Sequence, residues 1–399
     1  MTRTIVLADD LTGANDTAVQ FANDGWRTYS LFSEEMPEGL LDADLVAIAR
    51  SLETRPMADD EARAVTRGAI IQALSDGVDR AYLKIDSTVR GSVAAQVAGA
   101  LEGMPGSAAV VCPAYPALGR TVEDGIVMVN GVAVNETAIG NDPVTPVTTG
   151  DLTEIIPGAV SVVTLPFERS PGAVYVVDAR TEDDLAELAL RVAGDPRLLP
   201  VGSAGLARHV SHEWSRSIGR TPSRVGTGTA PRVVVMASSL NPVSREQGDR
   251  AVNDAGAVLY EFSEAQLVDP ASVDRWAASL GDERAVISVV RSLGERGPAA
   301  SRAATAAQVA AGLARATLAL IGEDSKVAVL VLGGDGAAAL LGLVGAEALR
   351  VEGLLSEGVP FGTVIGGRLD GLTVATKAGG FGQPETITEI CLGILDDKG

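Results

Sequence analysis

Short runs of β-branched and aliphatic residues recur along the chain with Ala-rich stretches between them. They read TIVLAD, LVAIA, RAYLKID, AAVVCPA and VYVVDA in the first half, then RVVVMAS, RAVISVV and KVAVLVLGG. Each run is almost continuously apolar, as strands buried on both faces of a parallel sheet are, and alternation with helical stretches predicts an α/β protein. SRAATAAQVAAGLARATLALIG, residues 301–322, predicts a long helix opening at Ser301. SIGRTPSRVGTGTAPR, residues 217–232, is rich in Gly, Pro, Ser and Thr without apolar periodicity and reads as a linker. The expected organisation is a domain over 1–216, a linker over 217–231 and a second domain over 232–399. Each would be a mainly parallel sheet flanked by helices, with the active site in the cleft between them.

Composition narrows the partners. A chain of 399 residues can bury two cores. Its formal charge of −20 works against a general affinity for nucleic acid or an anionic membrane, so a phosphate-bearing ligand must meet a local positive site. Cys112 and Cys391 are too few and too isolated for a disulfide framework, and His209 and His212 do not complete a zinc site. The amino-terminal MTRTIVLADD enters strand without the profile of a signal peptide, and no window holds the roughly 20 apolar residues of a membrane helix. A cytoplasmic protein is expected.

Candidate chemistry gathers where strands end. IVLADDLTGANDTA places Asp9, Asp10 and then Asp16 at the lip of the first strand. YLKIDSTVRGS ends a strand in Lys84, Asp86, Ser87, Thr88 and Arg90, RSLETRPM supplies Glu53 and Arg55, and CPAYPALGRTVEDG supplies Arg120. Singly, each acid could be a helix N-cap and each arginine a surface charge. Together, at the ends of strands where open α/β sheets bind ligands, they suit a small hydroxylated anion.

The second half carries glycine instead. KVAVLVLGGDGAAALLGLVG is strand, glycine turn, helix, a geometry that aims free backbone N–H groups at an anion. GTVIGGRLDGLTVATKAGGFG adds a second glycine-rich turn with Lys377 just before Gly379 and Gly380, and the pair favours a nucleotide. No Gly-Lys dipeptide occurs, which excludes a Walker A loop. Gly334, Gly336 and Ala339, with Glu352 downstream, also satisfy a G-x-G-x-x-A dinucleotide spacing.

LADDLTGANDTAVQFA, KIDSTVRGS, PAYPALGRTVEDG, VNGVAVNET, DPVTPV, VGSAGLA and TKAGGFG together resemble the four-carbon acid sugar kinases, in the right order over nearly the whole chain. Members of that family phosphorylate D-threonate, D-erythronate or 3-oxo-tetronates with ATP. The resemblance implies an acid-sugar domain followed by an ATP domain, and TKAGGFG and NDTAVQ look most like the D-threonate branch. By position within the motifs it implies that Asp9 or Asp10, with Arg55, Lys84, Ile85, Asp86 and Ser87, contacts the acid sugar, joined by the strand-end cations Arg90 and Arg120. Ser239, Gly333, Gly334, Asp335, Gly336, Lys377, Gly379 and Gly380 would contact ATP. Phosphoryl transfer to the terminal 4-hydroxyl would use Mg²⁺ on the phosphates, with Asp9, Asp10 and Asp86 as candidate bases or metal-facing acids, Asp10 and Asp86 foremost as proton acceptors, and metal ligands unassigned.

The chain departs from the family pattern at ASSLNPVSREQ, where Ser238 and Asn241 replace the Gly and the second Ser of a Gly-Ser-x-Ser turn, and at Ser92, where Asn is commoner. A nicotinamide-dependent oxidoreductase of hydroxy acids and a non-catalytic ligand sensor stay open as alternatives. So does a homodimer, the commonest assembly of soluble enzymes.

Overall fold

The first apolar run forms strand β1 (Thr2–Ala8), whose last five residues are buried. The protein is described here by a computed structural model that covers residues 2–395 apart from 34, 143–144, 163–167, 217–229, 295–305, 325 and 378. The expected linker lies almost wholly outside the described residues, as does the expected helix start at Ser301; helix is present over Ala306–Ile321. The chain divides into two units, Met1–Leu31 with Glu38–Arg224, and Phe32–Pro37 with Val225–Gly399. Phe32 and Ser33 join the second unit by donating their backbone N–H groups to the Glu347 carbonyl at 3.0 and 3.2 Å.

In the first unit β1 is followed by β2 (Arg27–Leu31), β3 (Leu45–Ser51), β4 (Arg80–Lys84) and β5 (Ala108–Cys112). A small antiparallel sheet comes next, β6 (Arg120–Glu123), β7 (Ile126–Val129) and β8 (Val132–Ala133), and then β9 (Val160–Val162), β10 (Val174–Val177) and β11 (Leu198–Gly202). The large sheet runs β2-β3-β1-β4-β11-β5-β10-β9, every pairing parallel. The chain leaves β1 toward β2 and β3 on one side and returns to β4 on the other, so the strand order reverses at β1, the place where open α/β sheets bind ligands.

β11 was not legible in the sequence, because LLPVG carries Pro200, a residue that argues against a central strand. Its pairing with β5 spans Leu198 to Gly202, whereas pairing with β4 begins only at Val201, beyond the proline.

The second unit holds β12 (Val233–Ala237), β13 (Val258–Phe262), β14 (Ile287–Ser292), β15 (Ala328–Leu332), β16 (Ala348–Ser356), β17 (Val359–Ile365) and β18 (Thr373–Lys377). Their order is β13-β14-β12-β15-β18-β17-β16, parallel up to β18 and antiparallel thereafter, with the reversal at β12. Val233, Val235 and Ala237 alternate onto one face with Ala328, Leu330 and Leu332. Against them pack Ile387, Ile390, Cys391 and Ile394 of the helix Thr386–Leu395. The mixed α/β class with mainly parallel sheets is therefore as expected.

Glycine sets how closely two helices of the first unit pack. A Cβ on Gly99 of the helix Val93–Gly103 would collide with the Arg63 carbonyl of the helix Asp59–Ser75, and one on Gly103 would lie 2.7 Å from Ile70. Gly99→Ala should therefore destabilise by about 1–3 kcal/mol despite the helix propensity of Ala. Gly68→Ala, at a helical position with nothing within 4 Å, should leave the protein as stable or up to ~1 kcal/mol more so. Thermal melts of the two variants, read against each other, check the packing.

Candidate functional site

Three strand ends of the first unit meet at the reversal point. Asp9 follows β1, Arg55 follows β3, and Asp86 follows β4, which itself ends in Lys84. Asp9 is 0% exposed, and its Oδ2 accepts from Arg55 Nε at 2.8 Å while Lys84 Nζ stands 3.8 Å from Oδ1. Burial raises the Asp9 carboxyl above its ordinary range, against the pull of the Lys84 and Arg55 charges. Arg55 also reaches Asp10 at 2.8 Å and Asp86 at 3.8 Å, so one guanidinium ties together the ends of three strands.

Asp10 is a helix N-cap, as the bland reading of an acid after a strand allows: it accepts from Gly13 N–H at 2.8 Å at the start of the helix Leu11–Asn23. Asp16 caps nothing. It sits in the second turn of that helix, its surface partly open yet deep among protein atoms, and burial pushes its carboxyl up to about 6, with the Lys84 charge opposing and Asp10 adding.

Asp86 organises the loop that follows β4. Its carboxylate accepts from the Thr88 backbone at 3.2 Å and from the Thr88 hydroxyl, and the Arg90 fork meets its two oxygens at 2.9 and 3.1 Å. Burial alone would raise it, but the Arg90 bonds and the charges of Arg90, Arg55 and Lys84 hold it well below the usual carboxylate range. The loop is strained: Val89, β-branched and buried, has φ 56°, and Glu53 in the neighbouring loop has φ 50°. Non-glycine residues at such angles cost on the order of 1–3 kcal/mol and persist where surrounding bonds over-determine them. Gly91 then brings the chain against Arg55, whose Cγ would lie 3.0 Å from a Cβ there.

Of the remaining candidates in this unit, Ile85 is 0% exposed and offers its backbone N–H to the Gly202 carbonyl at 2.9 Å, so its side chain belongs to the core. Ser87 is half-buried in the Asp86 loop. Arg120 opens β6 and donates to the Leu118 carbonyl.

In the second unit the reversal point lies at the end of β12. Ser238 and Ser239 both donate their backbone N–H groups to the Leu332 carbonyl, at 3.1 and 2.9 Å, locking the turn after β12 to the end of β15. A Cβ on Gly333 would sit 2.6 Å from the Ser238 hydroxyl, and one on Gly336 would collide with it. Gly333, at φ 122°, leaves the helix Gly334–Leu343 without a side-chain cap, so the first backbone N–H groups stay available to an anion. Asp335 is exposed in the first turn. Gly379 stands so close to the Ser239 hydroxyl that no side chain fits, and Gly380 approaches Asn241 Nδ2 at 3.3 Å to a virtual Cβ.

The two departures from the family turn are explained by this packing. Ser238 is not among the described residues with positive φ, so glycine's freedom is not needed there; its hydroxyl donates to the Leu332 carbonyl at 3.0 Å. Asn241 caps the helix Pro242–Ala255, accepting from Val243 N–H at 2.9 Å. Gly336 of the dinucleotide-like spacing is likewise accounted for by the Ser238 hydroxyl. Lys377 is buried, which lowers its amine to about 8, and it donates to the Phe381 carbonyl at 2.8 Å, drawing the 379–381 turn onto the end of β18. Its grip is on the turn. Among the described residues no group of three or more His, Cys, Asp and Glu is arranged to hold a metal ion, and no helix is long and apolar enough to cross a membrane.

Comparison with known proteins finds two family matches along the chain. Residues 4–210 match the sugar-binding N-terminal domain family and residues 234–387 the nucleotide-binding C-terminal domain family. The chain is 34% identical to the D-threonate kinase of Bordetella bronchiseptica, over 98% of both chains, and 31% identical to that of Salmonella typhimurium, over 96% of both. It is 26% identical to a 3-oxo-tetronate kinase of Brucella melitensis, over 94% of this chain and 92% of that one. The solved Haemophilus influenzae protein HI1011 shares the fold at 22% identity, with a TM-score of 0.76 over 98% of this chain and all of that one.

Two outcomes follow from these contacts. Arg55→Leu leaves a buried acid with half its compensation and should destabilise by about 3–5 kcal/mol, part of which Asp9→Asn in the same chain restores; denaturant titration of the single and double variants reads both. Gly336→Ala should destabilise by about 1–3 kcal/mol, and adding Ser238→Gly should relieve it, because the clash is with that side chain. Equal losses in the single and double variants would show that Ser238 is not the obstacle.

Proposed function

Because the chain belongs to the four-carbon acid sugar kinase family, we propose that it transfers the terminal phosphoryl group of ATP to the 4-hydroxyl of D-threonate. The protein is a phosphotransferase acting on a four-carbon acid sugar; the particular acid, hydroxyl and nucleotide are the proposed part. D-threonate is favoured because relatives named for it match at 31% and 34%, against 26% for the 3-oxo-tetronate kinase above.

The observation that carries this reading is the convergence of Arg55, Lys84 and Arg90 on fixed acids at the strand reversal of the first unit. The Arg55 and Arg90 side chains keep 18% and 28% of their surface open, so guanidinium groups oriented by Asp9, Asp10 and Asp86 can share their exposed N–H groups with the ligand's carboxylate. Asp9 and Ile85 act from beneath, by holding those cations and the strand end. Ser87, from its motif, and Arg120, as a cation at a strand end, would be further contacts to the acid sugar.

In the second unit the uncapped helix at Gly333, Gly334 and Gly336 and the turn at Gly379 and Gly380 would receive the phosphates through backbone N–H groups, with Ser239 between them and Asp335 at the rim. Lys377 shapes that turn from inside. Magnesium would enter with the phosphates, where it keeps several waters and needs only one or two protein carboxylates. Protein residues then contribute positioning and charge neutralisation, the main demands of phosphoryl transfer.

A coupled ADP-release assay with ATP and Mg²⁺ tests this against D-threonate, D-erythronate, their L-isomers and 3-oxo-tetronates. Fastest turnover on D-threonate is expected, and Arg90→Lys, which keeps the charge but loses the fork, should raise KM for it about 10- to 100-fold. A faster alternative acid would replace the substrate, and silence across the panel would remove the acid-sugar acceptor.

A further inference from the structure

We propose that Asp16 is the catalytic residue that accepts the proton of the reacting hydroxyl, with the Lys84 ammonium beside it. The assignment rests on the kinase reading above. It begins with elimination among the acids at the strand reversal. Asp9 has no exposed surface and is bound to Arg55. Asp10 divides its oxygens between the Gly13 N–H and Arg55. Asp86 is held by the Thr88 hydroxyl and the Arg90 fork. Asp10 and Asp86 are thus committed to donors that a proton would have to displace, while Asp9, whose Oδ1 accepts no hydrogen bond, has no surface at which a substrate hydroxyl could reach it. Among the described residues, no hydrogen bond or ion pair engages the Asp16 carboxylate.

Position supplies the second argument. On the helix Leu11–Asn23, Gly13 and Asp16 are three residues apart and share a face. The room left by the missing side chain of Gly13 is taken by Lys84 Nζ, 2.5 Å from a virtual Cβ, and by Asp10 Oδ1 at 2.6 Å. Asp16 therefore lies one turn beyond the ammonium, on the face that looks to the cation cluster, and feels the charges of both Lys84 and Asp10. The groups facing it are thus Lys84 from β4 and Asp10 from the helix cap, with Arg55 and Asp9 behind them. Burial, which raises this carboxyl to about 6, leaves it ionised at neutral pH yet a better proton acceptor than an ordinary aspartate.

In the step assigned to it, the substrate O–H bond breaks and its proton passes to the Asp16 carboxylate. The hydroxyl oxygen bonds to the terminal phosphorus of the nucleoside triphosphate, and the bond from that phosphorus to the bridging oxygen breaks, releasing the diphosphate. Asp16 then returns the proton to solvent.

Asp16→Asn tests the role. A carboxyl whose folded value is raised costs stability once pH exceeds its unfolded value, so the neutral isostere should melt at or above the wild type at pH 7. With ATP and the acid sugar that wild type turns over fastest, kcat should fall about 10²- to 10⁴-fold while KM changes less than about threefold. The wild-type kcat should decline as pH falls through about 6, and that limb should vanish in the variant. Residual activity within about fivefold of wild type, or a limb that persists, would overturn the assignment. A raised KM with kcat kept would make Asp16 a positioning partner of Lys84 instead. Should Asp16→Asn not fold, carbon-13 NMR of the wild-type carboxyl decides: a midpoint near 6 that moves on adding the acid sugar is expected, and a midpoint at the ordinary aspartate value overturns it. Wild type that forms no ADP with any acid sugar overturns the kinase reading and this role together, whereas an active wild type matched by its variant overturns this role alone.

Discussion

The contact on which the first unit's site depends is the buried pair of Asp9 and Arg55. A carboxylate at the end of a central parallel strand has lost its water, and among the described residues the guanidinium at 2.8 Å and the ammonium at 3.8 Å compensate it. Such a pair contributes little net stability relative to an apolar core, but removing one partner is costly because the other stays buried. Its effect here is geometric. Arg55 comes from the loop after β3 and Lys84 from β4, so neutralising Asp9 fixes the ends of three adjacent strands in one arrangement. The same arginine reaches Asp10 and Asp86, and Asp86 in turn fixes the Arg90 fork. Strained backbone at Glu53 and Val89 is tolerated where these charge-assisted bonds hold it.

Glycine does the complementary work of permitting close approach. Gly13 leaves space for the Lys84 ammonium, Gly91 for the Arg55 chain, and Gly333 and Gly336 for the Ser238 hydroxyl. Gly13 and Gly91 lie in segments that the family motifs mark, and each of the four is needed for a neighbour's atoms. The role of glycine in the second unit is therefore double: it brings two strand ends together and leaves helix N–H groups bare.

Much of this was legible in the chain, and the limits are instructive. Strands β1, β3, β4, β5, β10, β12, β14 and β15 announce themselves because burial on both faces leaves uninterrupted apolar runs. β11 was hidden by Pro200, and the β16–β17 hairpin by its own irregularity: its register shifts near Gly353 and near Leu354–Ser356, so alternation breaks. The Glu357-Gly358 pair between those strands, with Gly358 at φ 71°, was a usable turn signal. The candidate ligand residues were found because acids and cations at strand ends are rare in so apolar a pattern. Their division of labour was not legible, since it depends on burial and on which acid receives which donor. Asp86 looks like a base in the sequence and is held as a carboxylate in the fold by Arg90 and Thr88, while Asp16 looks like a cap and caps nothing.

A chain with a formal charge of −20 must bind anions against its own field, and the two units answer this in different ways. The first sets its guanidinium and ammonium groups into ion pairs with fixed acids, which would present directed N–H donors to the ligand carboxylate proposed above. The second offers backbone N–H groups and an uncapped helix end, which would attract phosphate without adding formal charge. Both arise at the strand where the sheet order reverses, β1 in one unit and β12 in the other. Only there do the loops from neighbouring strands diverge and leave room for a ligand between them. What separates the sites is the residue that follows the strand: a buried aspartate that demands cations after β1, and small serines that demand glycines after β12.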